Sequence, residues 1–484
     1  MNKSFKYLPP DKRKKILLIC DDIRVHSGVA TVAKEIVLHT CQHFNWVNVA
    51  GAIKHPEVGK RLDISADTKA QSGVEDASVF LYCVNGYGDT TILNNIINIE
   101  QPDAIMLFTD PRYFVHVFNM EDQIRKKCPI AYLNIWDDYP APRYNQAFYE
   151  SCDLLMGISK QTVNINKLVL KDCNNENRLF RYIPHGLHHQ DYFPIDESHE
   201  IWDEYQKFKN ETLWQNQEVN FCLFFNSRNI RRKAIPDTML AFRAFLDSLP
   251  YEDALKCRLI LHTELSTQHG TDLDAVREFL FGEKYQLCIK FSHNKLDRKQ
   301  LNFLYNAADA QVLLTSNEGW GLTITEAMLT GTPIIANVTG GMQDQMRFVD
   351  ENGDWFTPSA DVPSNHRGTY KKHGKWAFPV YPSSTSIQGS PPTPYIFDDR
   401  CKWEDACDRF KELYNMDPKE RRERGLAGRE WALSEEAGFY AEKQGERVIE
   451  AFDTLFDQWK PREDFEIIDV NNVPGKFLNH KIIY

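Results

Sequence analysis

One short segment constrains the fold of this chain more than any other. An apolar run at 311–314 is followed by the glycines Gly319 and Gly321, by a helix-favouring stretch at 322–329 and by a second apolar run at 334–338. This order predicts a strand, a glycine-rich loop, a helix and another strand. The loop then lies at the carboxyl end of the first strand. Backbone N–H groups at such a helix N-terminus are free to bind an anionic group.

The same alternation of apolar runs with helical text extends over most of the chain. Strand-like runs occur first at 15–20, 46–52, 79–84, 104–109, 130–135 and 154–158. A second series occurs at 220–226, 257–263, 287–291, 310–314 and 334–338. Strands that alternate with helices predict a mostly parallel sheet covered on both faces. The two series therefore predict two doubly wound α/β domains.

The length of 484 residues is more than one ordinary core accommodates. We predict an N-terminal domain at 1–195, a second domain at 196–440, and a final helix and tail at 441–484. The second domain has an insertion rich in Pro, Ser and Gly at about 355–400, which is long for a plain loop. The highly charged segment 196–217 predicts a surface helix at the junction.

Composition and charge bound the class of protein. The chain is 42% hydrophobic and 26% charged, as is typical of a soluble globular protein, and it has no apolar run near the ~20 residues that span a bilayer. Its N-terminus lacks the apolar core of a signal peptide. Its 11 cysteines include no Cys-x-x-Cys pair, which indicates reduced thiols and a cytoplasmic protein. The net charge of −11 does not attract a polyanion, although local basic clusters leave a nucleic-acid ligand open.

The stretch from Glu318 to Glu326 resembles the Glu-x7-Glu motif of retaining glycosyltransferases of family 4. In that family a strand precedes Ser-x-x-Glu-Gly-Phe-Gly-Leu, then Glu-Ala-Met, then Gly-x-Pro-(Val/Ile). The residues that match this pattern are Glu318, Gly319, Gly321, Leu322, Glu326, Ala327, Met328, Gly331, Pro333 and Ile334. Thr315 stands where serine is usual, and Trp320 replaces the Phe. The resemblance implies the GT-B fold, in which two Rossmann-like domains face a cleft and the last helices cross back onto the N-terminal domain.

The resemblance also implies a donor site on the glycine-rich loop. Gly319, Trp320 and Gly321 are expected to bring backbone against the donor sugar and its phosphates. Leu322 and Thr323 are expected to offer N–H groups to the β-phosphate. A polar helix start with two solvated glutamates is the simpler alternative for such a segment.

Two glutamates and two cations take named roles in this interpretation. Glu326 is expected to accept hydrogen bonds from the ribose hydroxyls. Glu318 is expected to contact the donor sugar near the reacting carbon, where it could stabilise an oxocarbenium-like state. Arg228 and Lys233 have the separation of the Arg and Lys that neutralise the departing diphosphate in the family, although Ala234 stands where the family has glycine. A solvated basic turn is the alternative.

Candidates on the N-terminal side match the family only in part. Ser27-Gly28-Val29 corresponds to the glycine-containing loop after the first strand, where most relatives have two adjacent glycines. Asp137 occupies the place of the acid in a His-Asp pair, while Trp136 replaces the histidine. Asp137 is therefore an acceptor-side candidate, or else a cap of a helix or turn.

No metal and no cofactor are expected beside the nucleotide-sugar substrate. Other glycosyltransferases hold a divalent cation with Asp-x-Asp, which is the spelling of Asp272-Leu-Asp274. However, Thr271-x-x-Asp274 before an apolar-periodic segment indicates a capping arrangement. The histidines at 185, 188 and 189 lie in one loop without a nearby cysteine, which favours an ordinary turn over a metal site.

These inferences predict a metal-independent, retaining transfer of a sugar from a nucleotide diphosphate sugar to an acceptor hydroxyl, with UDP as the expected nucleotide. The whole chain is also similar to glycosyltransferases of T-even-like tailed bacteriophages, including its segment 386–395, and some of those enzymes glycosylate 5-hydroxymethylcytosine in DNA. The acceptor is therefore hydroxymethylated DNA, a glycan or a small molecule, and the compartment is the host cytoplasm if the chain is phage-encoded. Aromatic residues at 370–376 could stack on a base or sugar, or form a packed lid. The alternatives are a nucleotide-sugar epimerase or hydrolase, and an inactive nucleotide-sugar-binding module.

Overall fold

The computed structural model of the chain describes residues 7–292, 296–361 and 363–462. The strands are β1 (Lys14–Asp21), β2 (Phe44–Gly51), β3 (Arg61–Asp63), β4 (Val79–Cys83), β5 (Ala104–Phe108), β6 (Ile130–Asn134), β7 (Leu154–Gly157), β8 (Leu179–Tyr182), β9 (Phe221–Asn226), β10 (Cys257–His262), β11 (Ile289–Ser292), β12 (Ala310–Leu313), β13 (Ile334–Asn337), β14 (Ala377–Val380), β15 (Pro382–Ser390) and β16 (Thr393–Cys401). Every apolar run predicted as a strand lies on one of them.

Helices fill most of the connections between these strands. They are α1 (Gly28–Leu38), α2 (Ser65–Ser72), α3 (Thr90–Glu100), α4 (Val115–Phe118), α5 (Glu121–Ile124), α6 (Gln146–Glu150), α7 (Lys160–Val169), α8 (Trp202–Lys207), α9 (Ile235–Asp247), α10 (Tyr251–Ala254), α11 (Leu273–Phe281), α12 (Arg298–Ala307), α13 (Leu322–Leu329), α14 (Met342–Gln345), α15 (Trp403–Tyr414), α16 (Pro418–Ala432) and α17 (Ala441–Gln458). Short 3-10 turns occur at Pro10–Lys12, Pro111–Phe114, Arg143–Asn145, Arg231–Lys233 and Gln286–Cys288.

Two open sheets organise the molecule. The first has the order β3-β4-β2-β1-β5-β6-β7-β8 and is parallel except for the pairing of β3 with β4. The second has the order β11-β10-β9-β12-β13-β14 and is parallel throughout. We call each sheet with its helices the first lobe and the second lobe. This architecture confirms the predicted mixed α/β fold; the domain bounds at 195 and 440 stay predictions.

The strands read as continuous apolar runs because helices cover both faces of each sheet. Ile16, Leu17, Leu18 and Ile19 of β1 are all fully buried, so neither face of that strand meets solvent. The carboxyl ends of parallel strands lie on one edge of a sheet, where an open α/β fold binds its ligands. The loops after β1, β6, β9 and β12 share those edges.

The insertion predicted at about 355–400 contains sheet structure. β14 extends the edge of the second sheet, and β15 pairs with β16 as an antiparallel hairpin. The hairpin contacts the first lobe, because the Phe397 N–H donates to the Tyr139 carbonyl at 2.7 Å and the Tyr144 hydroxyl donates to the Tyr395 carbonyl at 2.8 Å. The aromatic segment 370–376 packs against the second lobe, where Trp376 is 5% exposed and stacks on Trp431 at 5.1 Å.

The surface helix predicted for the segment 196–217 covers only part of that segment. It contains α8 and a π-helical turn at Phe208–Leu213. Tyr205 and Leu213 are buried at 3% and 6% exposure, and Tyr205 packs on Phe303 at 5.6 Å. The junction is therefore anchored to the second lobe by its apolar residues.

The chain returns to the first lobe through α17, as the GT-B resemblance implies. Phe452 of α17 packs edge-on against Phe44 at 5.8 Å, and His43 Nε2 lies 3.0 Å from Asp453 Oδ1. Of the final helix and tail predicted at 441–484, residues 463–484 lie outside the described residues. No helix in the described parts of the chain combines the length and apolar character needed to cross a bilayer.

Candidate active site

The glycine-rich loop lies between β12 and α13, as predicted. Gly321 is the N-cap of α13 with φ 88°, a left-handed conformation that glycine adopts without strain. No side chain caps this helix, and within the described residues the N–H groups of Leu322 and Thr323 have no hydrogen-bond acceptor. The start of α13 is therefore an open site for an anionic group.

The carboxylate of Glu318 lies beside two cations that follow β9. Lys233 Nζ donates to Glu318 Oε2, and Arg232 Nη1 lies 3.2 Å from the same oxygen. All three side chains are largely buried, with exposures of 13%, 10% and 29% for Glu318, Lys233 and Arg232. The acidic loop and the basic turn thus form one ionic cluster at the edge of the second sheet.

Electrostatics keep the carboxylate of Glu318 ionised. Burial raises the pKa of Glu318, but Lys233 and Arg232 more than offset that effect and lower it to about 2. For Lys233 the direction is reversed: burial lowers its pKa, and the negative charge of Glu318 opposes this effect. Lys233 Nζ has a hydrogen bond to Glu318 alone within the described residues, so its other N–H groups are free to donate to a substrate.

Asp137 completes the cluster from the opposite lobe. Its Oδ2 lies 3.9 Å from Arg232 Nη2, and its side chain is 30% exposed. Burial raises the pKa of Asp137, whereas Arg232 lowers it. Gly319 also touches this side, because a Cβ there would lie 2.7 Å from the Ile135 carbonyl oxygen. The site is therefore formed between the two lobes.

Gly28 faces the same cleft from the first lobe. A Cβ on Gly28 would lie 3.3 Å from Leu322 Cδ1, so the first turn of α1 lies opposite the first turn of α13. Ser27 caps α1 by accepting from the Ala30 N–H at 3.0 Å. The two helices thus direct their N-terminal ends towards the cleft, where both favour negative charge.

The carboxylate of Glu326 is hydrogen-bonded to the protein. Its Oε1 accepts from the Tyr192 hydroxyl at 3.2 Å, and its Oε2 accepts from the Tyr305 hydroxyl and from Asn226 Nδ2 at 3.4 Å. Burial raises its pKa, and these three donors oppose that effect. Tyr192 and Tyr305 lie 134 and 21 residues before Glu326, so no pattern within the motif itself could identify them.

The side chain of Trp320 belongs to the core. It is 2% exposed, its indole N–H donates to Thr325 Oγ1 at 3.0 Å, and its ring packs edge-on against Phe439 at 4.9 Å. Its ring also lies 6.2 Å from that of His185, whose pKa burial lowers to about 3. The backbone of Trp320 remains in the loop, but its carbonyl accepts from Gln345 Nε2 at 2.6 Å.

The structure separates the two predicted cations. Arg228 is exposed, and its side chain has no hydrogen bond or ion pair with the described residues, whereas Lys233 contacts Glu318. Sequence reasoning missed Arg232, because spacing alone cannot decide which members of the run Arg231-Arg232-Lys233 point into the cleft. The departure at Ala234 has a structural counterpart: its φ of 50° is the left-handed conformation that a glycine would adopt freely.

The Asp-x-Asp segment is a helix cap. Asp272 is the N-cap of α11 and accepts from the Ala275 N–H at 3.1 Å, while Asp274 pairs with Arg277 at 2.6 Å. The capping residue is thus Asp272, not Thr271 as the pattern predicts.

One group in the described residues has the spacing of metal ligands. The donor atoms of His55, Glu57 and Cys83 all lie within 4.8 Å of one another. However, His55 Nδ1 accepts from the Glu57 N–H at 3.0 Å, and its Nε2 lies 3.0 Å from Asp22 Oδ2. Both imidazole nitrogens therefore already have protein partners, which accounts for the cluster without an ion.

Residues 285–362 match the protein family described as Glycosyl transferases group 1. The matched segment contains the glycine-rich loop and α13 but is less than half of the chain. No curated protein sequence matches the chain significantly.

Solved structures match the chain over nearly its whole length. Sucrose-phosphate synthase from Thermosynechococcus elongatus aligns with a TM-score of 0.60 at 15% identity, covering 92% of this chain and 100% of that one. HepE from Anabaena, in complex with UDP and glucose, gives 0.60 at 14% identity over 91% and 100%. A trehalose-6-phosphate structure from E. coli, bound with UDP-2-fluoro glucose, gives 0.61 at 12% identity over 93% and 100%. These likenesses show the GT-B fold, with two Rossmann-like lobes that face a cleft.

Proposed function

We propose that this chain is a glycosyltransferase that moves a sugar from a nucleoside diphosphate sugar, with UDP as the nucleotide, to an acceptor hydroxyl in the cleft. The observation that carries the proposal is the convergence of Lys233, Glu318 and the free N–H groups of α13 at one edge of the second sheet. A family match over that segment and whole-chain neighbours bound with UDP or UDP-sugars support it.

The arrangement fits the departure of a nucleoside diphosphate. When the bond between the anomeric carbon and the β-phosphate oxygen breaks, negative charge develops on the diphosphate. The remaining N–H groups of Lys233 and those of Leu322 and Thr323 are placed to stabilise it, an effect worth several kcal/mol when the donors are preorganised. This use of protein cations is the basis for proposing a metal-independent reaction.

We further propose that the transfer retains the anomeric configuration. The acceptor oxygen bonds to the anomeric carbon on the face that the diphosphate leaves, and the acceptor proton passes to the departing phosphate oxygen. Glu318 then stabilises the positive charge of the sugar, because its lowered pKa keeps it ionised at neutral pH. Glu326 contacts the ribose, and Asp137 is the acceptor-side group.

Donor turnover tests the proposal. Purified protein is incubated with a panel of nucleoside diphosphate sugars and with hydroxymethylated DNA, unmodified DNA or simple glycosides, with and without chelator. We expect release of UDP coupled to glycosylation of one acceptor class, unchanged by chelator, and a product with the anomeric configuration of the donor. Strict dependence on a divalent cation or an inverted product would reject the corresponding part of the proposal.

Variants assign the roles. Glu318→Gln and Lys233→Ala should each lower kcat by about 100-fold or more, because each removes a charge that acts on the transition state. Arg231→Ala is the matched control, since this neighbouring cation is exposed. Release of free sugar without a glycosylated acceptor would indicate a hydrolase. An epimerised donor would indicate an epimerase, and UDP binding without turnover would indicate an inactive binding module.

A further inference from the structure

Arg232 is a basic residue beside the cleft that reaches both lobes. Its Nη1 lies 2.5 Å from the Asn317 carbonyl oxygen and 3.2 Å from Glu318 Oε2, both in the glycine-rich loop. Its Nη2 lies 3.9 Å from Asp137 Oδ2 of the first lobe. The two arms of one planar guanidinium therefore face the two acidic groups that flank the proposed reaction centre.

The main chain holds Arg232 on the loop independently of its side chain. The Arg232 carbonyl accepts from the Ser316 N–H at 2.8 Å and from the Thr315 hydroxyl at 3.2 Å. These bonds attach the basic turn to the end of β12. Removal of the side chain should therefore leave the two segments in contact.

The contacts of Glu318 show what the guanidinium does to that carboxylate. Arg232 and Lys233 both contact Oε2, whereas Oε1 has no hydrogen bond with the described residues. Oε1 is also not fully enclosed by the protein. Two cations on one oxygen restrict the rotation of the carboxylate and leave the other oxygen available to a ligand.

We propose that Arg232 is a positioning residue, which holds Glu318 and Asp137 in register across the cleft. The inference rests on the proposed function, since Glu318 and Asp137 act there on the donor sugar and the acceptor. Only a forked side chain can serve both carboxylates, because the ammonium of lysine is a single point charge. Arg232 acts through these two residues and is not itself in contact with substrate.

Steady-state kinetics of Arg232→Ala and Arg232→Lys test this role, with Arg231→Ala as the control. We expect Arg232→Ala to lower kcat by about 100-fold, the cost of a small misplacement of catalytic groups, with the donor KM nearly unchanged. Arg232→Lys should recover part of kcat, because lysine can reach the loop but not also Asp137. Arg231→Ala should match the wild type.

A double-mutant cycle separates positioning from other roles. If Arg232 acts through Asp137, the effects of Arg232→Ala and Asp137→Asn on kcat will be non-additive. Additive effects, a raised donor KM with kcat unchanged, or a match to Arg231→Ala would each overturn the proposal. If Arg232→Ala does not fold, Arg232→Lys in the same cycle decides the outcome.

Measurements on the wild type distinguish a failure of the proposed function from a failure of the positioning role of Arg232. Calorimetry with UDP and turnover of UDP-sugars report on that function alone. If the wild type shows neither, the same cycle is measured on the free energy of unfolding, where coupling between Arg232 and Asp137 supports the bridge and its absence rejects it.

Discussion

Asp344 forms a buried contact between the lobes that makes stability depend on pH. It lies on α14 of the second lobe and is 2% exposed. Its Oδ2 accepts from the Lys160 N–H at 2.8 Å, at the start of α7, and from the Tyr182 hydroxyl at 3.0 Å, on β8. Both donors belong to the first lobe, so this carboxyl group ties the two lobes together.

The size of this pH effect on stability follows from the pKa of Asp344. Burial raises the pKa of Asp344 from 3.8 to about 6, against the opposing effects of the Lys160 N–H and charge. A folded-state pKa above the unfolded value means that folding favours the protonated form. The associated stability is complete below pH ~4 and is lost as pH rises through about 6. The loss amounts to about 3 kcal/mol, at about 1.4 kcal/mol per pKa unit.

Asp344→Asn removes this dependence while keeping the shape of the side chain. Its amide oxygen can accept the same two hydrogen bonds at every pH. We therefore expect the free energy of unfolding of the variant to rise by about 3 kcal/mol relative to the wild type between pH ~4 and pH ~7.5. The assay is urea unfolding of both proteins across that range, followed by fluorescence and circular dichroism.

Asp457→Asn is the matched control, because it makes the same charge change at an exposed position of α17. Its free energy of unfolding should follow the wild type at each pH. The reasoning is refuted if Asp344→Asn and the wild type run parallel with pH, or if the variant loses stability relative to the wild type as pH rises.

Two further predictions concern the cleft. Ala234→Gly should stabilise the protein by about 0.5–1 kcal/mol in thermal unfolding, because the left-handed strain of alanine exceeds the added chain entropy of glycine; a lower Tm would contradict it. Thr339 Oγ1 lies 2.9 Å from Asp138 Oδ2 and 2.7 Å from Asp399 Oδ2, and its single hydroxyl hydrogen can serve only one of these two oxygens. Burial raises the pKa of Asp138, so the fold stability that its protonated form contributes is lost as pH rises through that raised value. We therefore expect Asp138→Asn to fold normally and to have an increasing advantage over the wild type in free energy of unfolding as pH rises. A variant whose free energy of unfolding falls relative to the wild type with rising pH would contradict this.

Local patterns were sufficient to predict the elements that build the cleft. The apolar runs of β9, β12 and β13 and the bounds of α13 follow from residue type and spacing, because strand and helix periodicity act over a few residues. Gly321 sits where only a left-handed turn continues the chain into α13. The family resemblance adds the expectation that this loop binds a donor, which no periodicity reveals.

Contacts between distant segments decided the rest. The sequence alone determined that an acidic glycine loop and a basic turn exist in one α/β chain. The tertiary structure decided that Arg232 and Lys233, rather than Arg228, reach Glu318, across separations of 86 and 85 residues. It also placed Asp137 beside Arg232 and buried the Trp320 ring among residues of other segments. The physical reason is that side-chain direction in a loop is set by what packs around it, and those neighbours come from strands that only the folded sheets bring together.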